Sequence, residues 1–158
     1  SYKQTRKAKT NYKWEKLELV AKAAQNLKEY YNADNLIMIG HSGGALTSAT
    51  INSRVPKLID KSILISCPCD FEKWRKMRGE SVYKMKTSPH KNISGISKDS
   101  HTIIIVGKND INTFPILSKK YHEILISKGF KSELHIIEGE HSSSSLVDLS
   151  KIIKSYIN

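Results

Sequence analysis

The chain has 158 residues, 39% of them hydrophobic, and a formal net charge of +11. That length supports one domain with a core of its own, and no apolar run approaches the roughly 20 residues that span a bilayer. Lysine supplies nearly all the positive charge. Arg6, Arg54, Arg75 and Arg78 are the only arginines, so the planar forks that grip phosphate are scarce, which argues against nucleic acid as the partner.

Ser1 to Lys13 is basic and polar, with Lys3, Arg6, Lys7, Lys9 and Lys13, and carries no secretory signal pattern. It reads as a segment, 1–13, ahead of one domain over 14–158. Contact with nucleic acid or an acidic lipid surface is possible there on charge alone; a solvated lysine-biased surface is the plainer reading. An opening serine rather than methionine fits a processed chain or a fragment.

From Trp14 to Tyr31, Leu17, Val20, Ala21, Ala24, Leu27 and Tyr31 recur at three- and four-residue intervals, which predicts an amphipathic helix. "NADN" breaks it, and the apolar run 36–40 predicts a buried parallel strand. Ala45 to Arg54 is a second helix closed by Pro56, and "SILIS" (62–66) a second strand. Short helical pieces over 71–86, interrupted by Gly79, lead into a loop, "TSPHKNISGISKDS". "TIIIV" (102–106) is a third strand. A helix over 114–128, stopped by Gly129, follows, then a strand over 134–137. A last helix over 146–157 turns Leu146, Leu149, Ile152, Ile153 and Tyr156 inward, with the serines 142–145 as loop and N-cap. Strands alternating with helices predict an α/β fold, a parallel sheet with helices on both faces.

Ligands of such sheets gather beyond the carboxyl ends of the strands. Ser42 stands past the first strand, Cys67, Cys69 and Asp70 past the second, Asp110 past the third and His141 past the fourth. Ser, Asp and His in that order are the parts of a nucleophilic triad. The surroundings of Ser42, "GHSGGA", carry the G-x-S-x-G pattern of a nucleophile elbow. Gly40 and Gly44 would remove side chains that collide where strand and helix crowd together. Beside the helix N-terminus the Gly43 amide would face a developing oxyanion.

Each residue also has a structural reading. Ser42 could be a turn serine, Asp110 an N-cap for the 114–128 helix, and His141 a solvated loop histidine. Asp70 and Asp99 compete with Asp110 for the acid. His135 and His122 fall inside a strand and a helix, His101 precedes a strand, and His41 and His90 come near the site as ordinary satisfied side chains. Cys67 and Cys69 lack zinc half-site spacing. A disulfide between them would be strained, so two free thiols at a strand end are expected, in keeping with a reducing cytoplasm.

"GHSGGA", "IIIVGKND" and "LHIIEGEH", with "TSPHKNISGI" and "YHEILISKGFKSELHII" around the third strand, together resemble the C-terminal part of an α/β-hydrolase. The likeness is to the prolyl oligopeptidase and dienelactone hydrolase branch, from about Trp14 onward. The resemblance implies Ser42 as nucleophile, His141 as base, Asp110 as acid and Gly43 as an oxyanion donor. It implies a small ester or short peptide as substrate, and no metal or organic cofactor.

The chain departs from that family in two respects. No strands precede the elbow strand, so one of its edges should lie open. The loop bearing the family's second oxyanion donor is also missing, a loss that costs about a hundred- to thousandfold in rate. A fragment of a longer hydrolase, a sheet completed by another chain or copy, and a minimal form are the three explanations. The expected activity is hydrolysis of a carboxylic ester or peptide-like amide, with a catalytically silent binding module as the alternative. Trp74, Phe71, Tyr83 and Met85 are candidates for an acyl pocket, core packing being the commoner role for such residues.

Overall fold

The computed structural model describes residues 12–82 and 85–157. Most of the basic N-terminal stretch, and Tyr83, lie outside them.

The elements are α1 (Trp14–Tyr30), β1 (Ile37–His41), α2 (Gly43–Arg54), β2 (Lys61–Ile65), α3 (Phe71–Met77), β3 (His101–Gly107), α4 (Pro115–Ser127), β4 (Lys131–Ile137) and α5 (Leu149–Ile157). Among the described residues the strands form one sheet in the order β1-β2-β3-β4, and every pair is parallel. The register aligns Gly40 with Leu64, Leu64 with Ile104 and Ile104 with Leu134. The opposite face carries Ile39, Ile63 and Ile103 side by side.

Alternation sends those two sets to different layers. Leu64 and Ile104 pack with Ala45 and Ala49 of α2 and with Tyr121 and Leu125 of α4. Ile63, Ile65, Ile103 and Ile105 pack on the other side against Leu146, Leu149, Ile152, Ile153 and Tyr156. Ile103, Ile104 and Ile105 are fully buried, each contributing about 1.5–3 kcal/mol of transfer free energy. The doubly covered α/β sheet is therefore as expected.

Several boundaries differ for local reasons. The strand expected over 134–137 begins at Lys131, because the polar residues Lys131, Ser132 and Glu133 pair with His101, Thr102 and Ile103 along the sheet edge. The last helix starts at Leu149, not 146. Ser143–Ser145 form a 3-10 turn, and Asp148 takes a left-handed φ of 61° that separates it from the helix. The serines thus do not cap α5. Leu146 is nonetheless buried in the predicted layer.

Only part of the α1 stripe is used. Leu17 and Ala21 are buried, and Ala21 meets Ile51, Leu58 and Ile59. Val20 and Leu27 remain 41% and 57% exposed, because α1 covers the margin of the sheet. Among the described residues β1 pairs with β2 alone, and Ile39 is 46% exposed, so the edge expected to lie open is open, while the burial expected from the apolar run is only partial.

The expectation of free thiols is corrected. Cys67 and Cys69 are disulfide-bonded, and their Cα atoms are 5.2 Å apart, inside the range a disulfide spans. Pro68 between them restricts φ, and the chain turns there rather than running on as a strand. Both cysteines are buried against Ala45, Ala49 and Ile93. The thiol argument for a reducing compartment falls with this pairing. Among the described residues no helix is long and apolar enough to cross a membrane.

Candidate active site

β1 ends where the chain reverses sharply. The Ser42 amide still donates to the Ile65 carbonyl of β2, 2.8 Å away, and the Ser42 carbonyl already accepts from the Leu46 amide of α2 at 3.1 Å. One residue serves both strand and helix, so its backbone is forced to φ 53°, ψ −114°. A non-glycine residue so held stores about 1–3 kcal/mol, a cost typical of functional turns.

The flanking glycines have different roles. A Cβ on Gly40 would lie 2.4 Å from the Gly44 backbone and 2.6 Å from the Ala45 nitrogen, so only glycine fits there. A Cβ on Gly44 would meet nothing within 4 Å. That corrects the expectation of crowding on both sides: Gly44 contributes its close-lying backbone, not a missing side chain. A Cβ on Gly43 would come 2.3 Å from the Tyr12 hydroxyl. Tyr12, assigned to the N-terminal segment by its sequence, packs with Leu46, Phe71, Met85 and Trp74 beside the elbow.

His141 lies past β4 and its ring reaches Ser42. Its Nε2 is 3.0 Å from the Ser42 Oγ, and its Nδ1 is 2.9 Å from Asp110 Oδ2. The Asp110 carboxylate cannot donate, so Nδ1 carries the proton and Nε2 is left to accept from the serine hydroxyl. The three residues expected from sequence are thus joined in one hydrogen-bonded run.

Asp110 is only 1% exposed. Its Oδ1 accepts the Asn112 and Thr113 amides, both at 2.8 Å, and its Oδ2 accepts the Thr113 hydroxyl at 2.7 Å as well as His141. Burial pushes the carboxyl pKa up, but hydrogen bonds from Thr113 and His141 outweigh it and hold the value below normal. The capping alternative is not realised, since α4 begins after Phe114 without a side-chain cap. Of the rival acids, Asp70 caps α3 by accepting the Lys73 amide, and Asp99 is exposed.

The other candidates find structural partners. His122 bonds Ser132, and His135 bonds Tyr156. His101 pairs with Glu133, and His90 faces Ser88 and Asp70. Cys67 is tied up in its disulfide. Phe71 and Met85 are buried in the small cluster around Leu46. Among the described residues no group of three His, Cys, Asp or Glu could hold a metal ion. A cleft of about 400 Å³ lined by Lys28, Asn32, Val55 and Leu58 lies at the amino ends of the strands, away from Ser42.

Sequence reasoning missed Thr113 and understated His41. Thr113 stands three residues after Asp110, and a Thr at that offset can return a hydroxyl and an amide to one carboxylate. That spacing was the available signal. His41 donates from Nε2 to the His141 carbonyl, 2.7 Å away, a contact no local pattern announces.

A parallel sheet with a strained serine between strand and helix, an acid after the next strand but one and a histidine after the last is the α/β-hydrolase arrangement, and the chain has that fold. It is similar to the structure of esterase PE8, with 20% identity and a TM-score of 0.64 over 89% of this chain and 60% of that one. A puromycin-hydrolyzing peptidase of Mycobacterium tuberculosis is similar at 16% identity and a TM-score of 0.68, over 80% of this chain and 22% of that one. Dipeptidyl peptidase 4 of Porphyromonas gingivalis gives 16% and 0.67, over 89% and 22%. The chain therefore spans 60% of the esterase and 22% of each peptidase. No protein-family profile and no curated protein sequence matches it.

Proposed function

We propose that the chain is a serine hydrolase that cleaves a carboxylic ester or a peptide-like amide through an acyl-enzyme. The observation that carries this reading is the hydrogen-bonded run Ser42–His141–Asp110, built on a strained elbow. Its similarity to an esterase and to peptidases supports the reaction class and leaves ester and amide as the two substrate types.

In this mechanism His141 Nε2 takes the Ser42 hydroxyl proton as Oγ bonds to the substrate carbonyl carbon. The ionised Asp110 holds the imidazole tautomer and stabilises the imidazolium that forms. Charge collects on the carbonyl oxygen, which accepts a hydrogen bond from the Gly43 amide. As the first residue of α2, Gly43 has an N–H the helix cannot satisfy internally, and the helix dipole adds to it. The tetrahedral species collapses as His141 returns the proton to the leaving alcohol or amine. Water, deprotonated by the same imidazole, then attacks the acyl-enzyme and releases the acid and a free Ser42.

A catalytically silent hydrolase-fold module is the second reading. The share of the known hydrolases that this chain spans, 60% of the esterase and 22% of each peptidase, favours it. Among the described residues the outer edge of β1 has no strand partner, and a further strand from a longer chain or a second copy would join there. Hydrolysis of p-nitrophenyl acetate and of an aminoacyl p-nitroanilide separates the two readings. Saturable turnover by the native chain, with Ser42→Ala at the uncatalysed rate, is expected. Equal rates for both proteins would mean the run does no chemistry.

A further inference from the structure

Ser42 and His141 come from opposite edges of the sheet. β1 and β4 are separated by β2 and β3, three strand spacings or about 14 Å. The loop after β4 must therefore reach back over two strands and hold an imidazole within 3.0 Å of the serine. Most of its anchors lie at the wrong place for that. Lys108 donates to the Ile137 carbonyl and Asn109 to the Gly139 carbonyl, which fastens the stem of the loop to the end of β3. The Val147 amide closes on the Glu138 carbonyl, and the Glu140 amide on the Ser145 hydroxyl, which ties the loop to itself. None of these reaches β1.

Among the described residues, the loop is joined to β1 and its elbow by hydrogen bonds at two points. One is the Ser42–His141 bond itself, which is surrendered whenever Ser42 reacts and so cannot act as an anchor. The other runs from His41 Nε2 to the His141 carbonyl at 2.7 Å. A carbonyl oxygen only accepts, so His41 carries a proton on Nε2. Its ring also lies against that of His141, with centroids 5.0 Å apart and planes tilted by 44°. The residue preceding the nucleophile in the chain thus grips the backbone of the residue that would activate it.

We infer that His41 is a positioning residue that clamps the His141 loop onto the nucleophile strand, keeping the imidazole in reach of Ser42 through each acylation and deacylation. The inference rests on the proposed hydrolase reading for its kinetic consequence, though not for its structural one. A misplacement of about 1 Å in a reacting group can cost about a hundredfold. Loss of the clamp acts on the reacting geometry and leaves the substrate contacts alone.

The test compares the full chain with His41→Phe, which keeps a ring and loses the donor, and His41→Gln, whose amide nitrogen restores a donor at similar reach. Turnover of p-nitrophenyl acetate and hydrogen–deuterium exchange of the 138–146 segment are measured on all three. The Phe variant is expected to lose about ten- to a hundredfold in kcat with KM within about twofold. Faster exchange in 138–146 should accompany that loss, and the Gln variant should recover most of both. Native kcat in the Phe variant, or an equal loss in both variants, would overturn the clamp. If the native chain has no Ser42-dependent turnover, the hydrolase reading fails instead. Exchange then decides alone, and unchanged protection of 138–146 in the Phe variant overturns the inference.

Discussion

Asp110→Asn is the substitution whose outcome follows most closely from the geometry. The side chain keeps its shape, so its carbonyl oxygen can remain on the Asn112 and Thr113 amides, 2.8 Å from each. The new NH₂ then replaces Oδ2, where the Thr113 hydroxyl and His141 Nδ1 both donate. The hydroxyl can rotate and accept. The imidazole can comply only by moving its proton from Nδ1 to Nε2, which turns a donor toward Ser42 in place of the lone pair that should take its proton. Loss of the correct tautomer in a triad of this kind lowers kcat about 10⁴-fold.

Stability changes far less, because hydrogen bonds to a charged acceptor become neutral ones, each a difference of about 1 kcal/mol. That difference depends on pH with a defined sign. The folded Asp110 titrates below its ordinary value of 3.8, so its contribution is fully present above that value and is lost as pH falls through the lowered one. The native protein and the Asp110→Asn variant should therefore converge in urea midpoint as the pH is lowered through that window. Steady-state kinetics and urea titrations over a pH series would check both statements. A kcat within about tenfold of native would refute the tautomer argument; collapse of the fold at neutral pH would make Asp110 structural instead.

The remaining expectations concern the elbow, the acid and the disulfide. Gly40→Ala places a Cβ 2.4 Å from the Gly44 backbone and should cost about 1–3 kcal/mol in a urea titration. Gly44→Ala, which meets nothing within 4 Å inside a helix, should stabilise by up to about 1 kcal/mol; the reverse order would mean the elbow is packed otherwise. Thr113→Val removes a donor to Asp110 and leaves kcat lower by about tenfold, with KM unchanged, in the ester assay. The unreduced chain should yield no thiol to a thiol reagent under denaturing conditions, and two after reduction, since Cys67 and Cys69 are bonded.

The sheet was legible because its signals are local: "TIIIV" and the apolar centre of "SILIS" are short β-branched or apolar runs with turn residues beyond them, and Leu149, Ile152, Ile153 and Tyr156 recur at helical spacing. Ser42, Asp110 and His141 were legible for the same reason, each standing just past a strand end. What stayed hidden depends on the third dimension. Gly44 reads like Gly40, yet only a built backbone distinguishes a crowded Cβ from an open one. Val20 and Leu27 look like core until the helix they occupy proves to cover a sheet margin. The bond between Cys67 and Cys69 is hidden in the same way, because spacing alone says nothing of how Pro68 turns the chain. His41 meets His141 across two intervening strands, beyond the reach of any spacing rule.

Labelling of the chain with a fluorophosphonate, with the modified residue located by peptide mass spectrometry, reports whether the Ser42 hydroxyl is activated and requires no substrate. A stable adduct on Ser42 is expected, formed in the folded protein, lost in Ser42→Ala and strongly slowed in Asp110→Asn. A folded chain that gives no adduct at Ser42, or one equally labelled in Asp110→Asn, would contradict that activation.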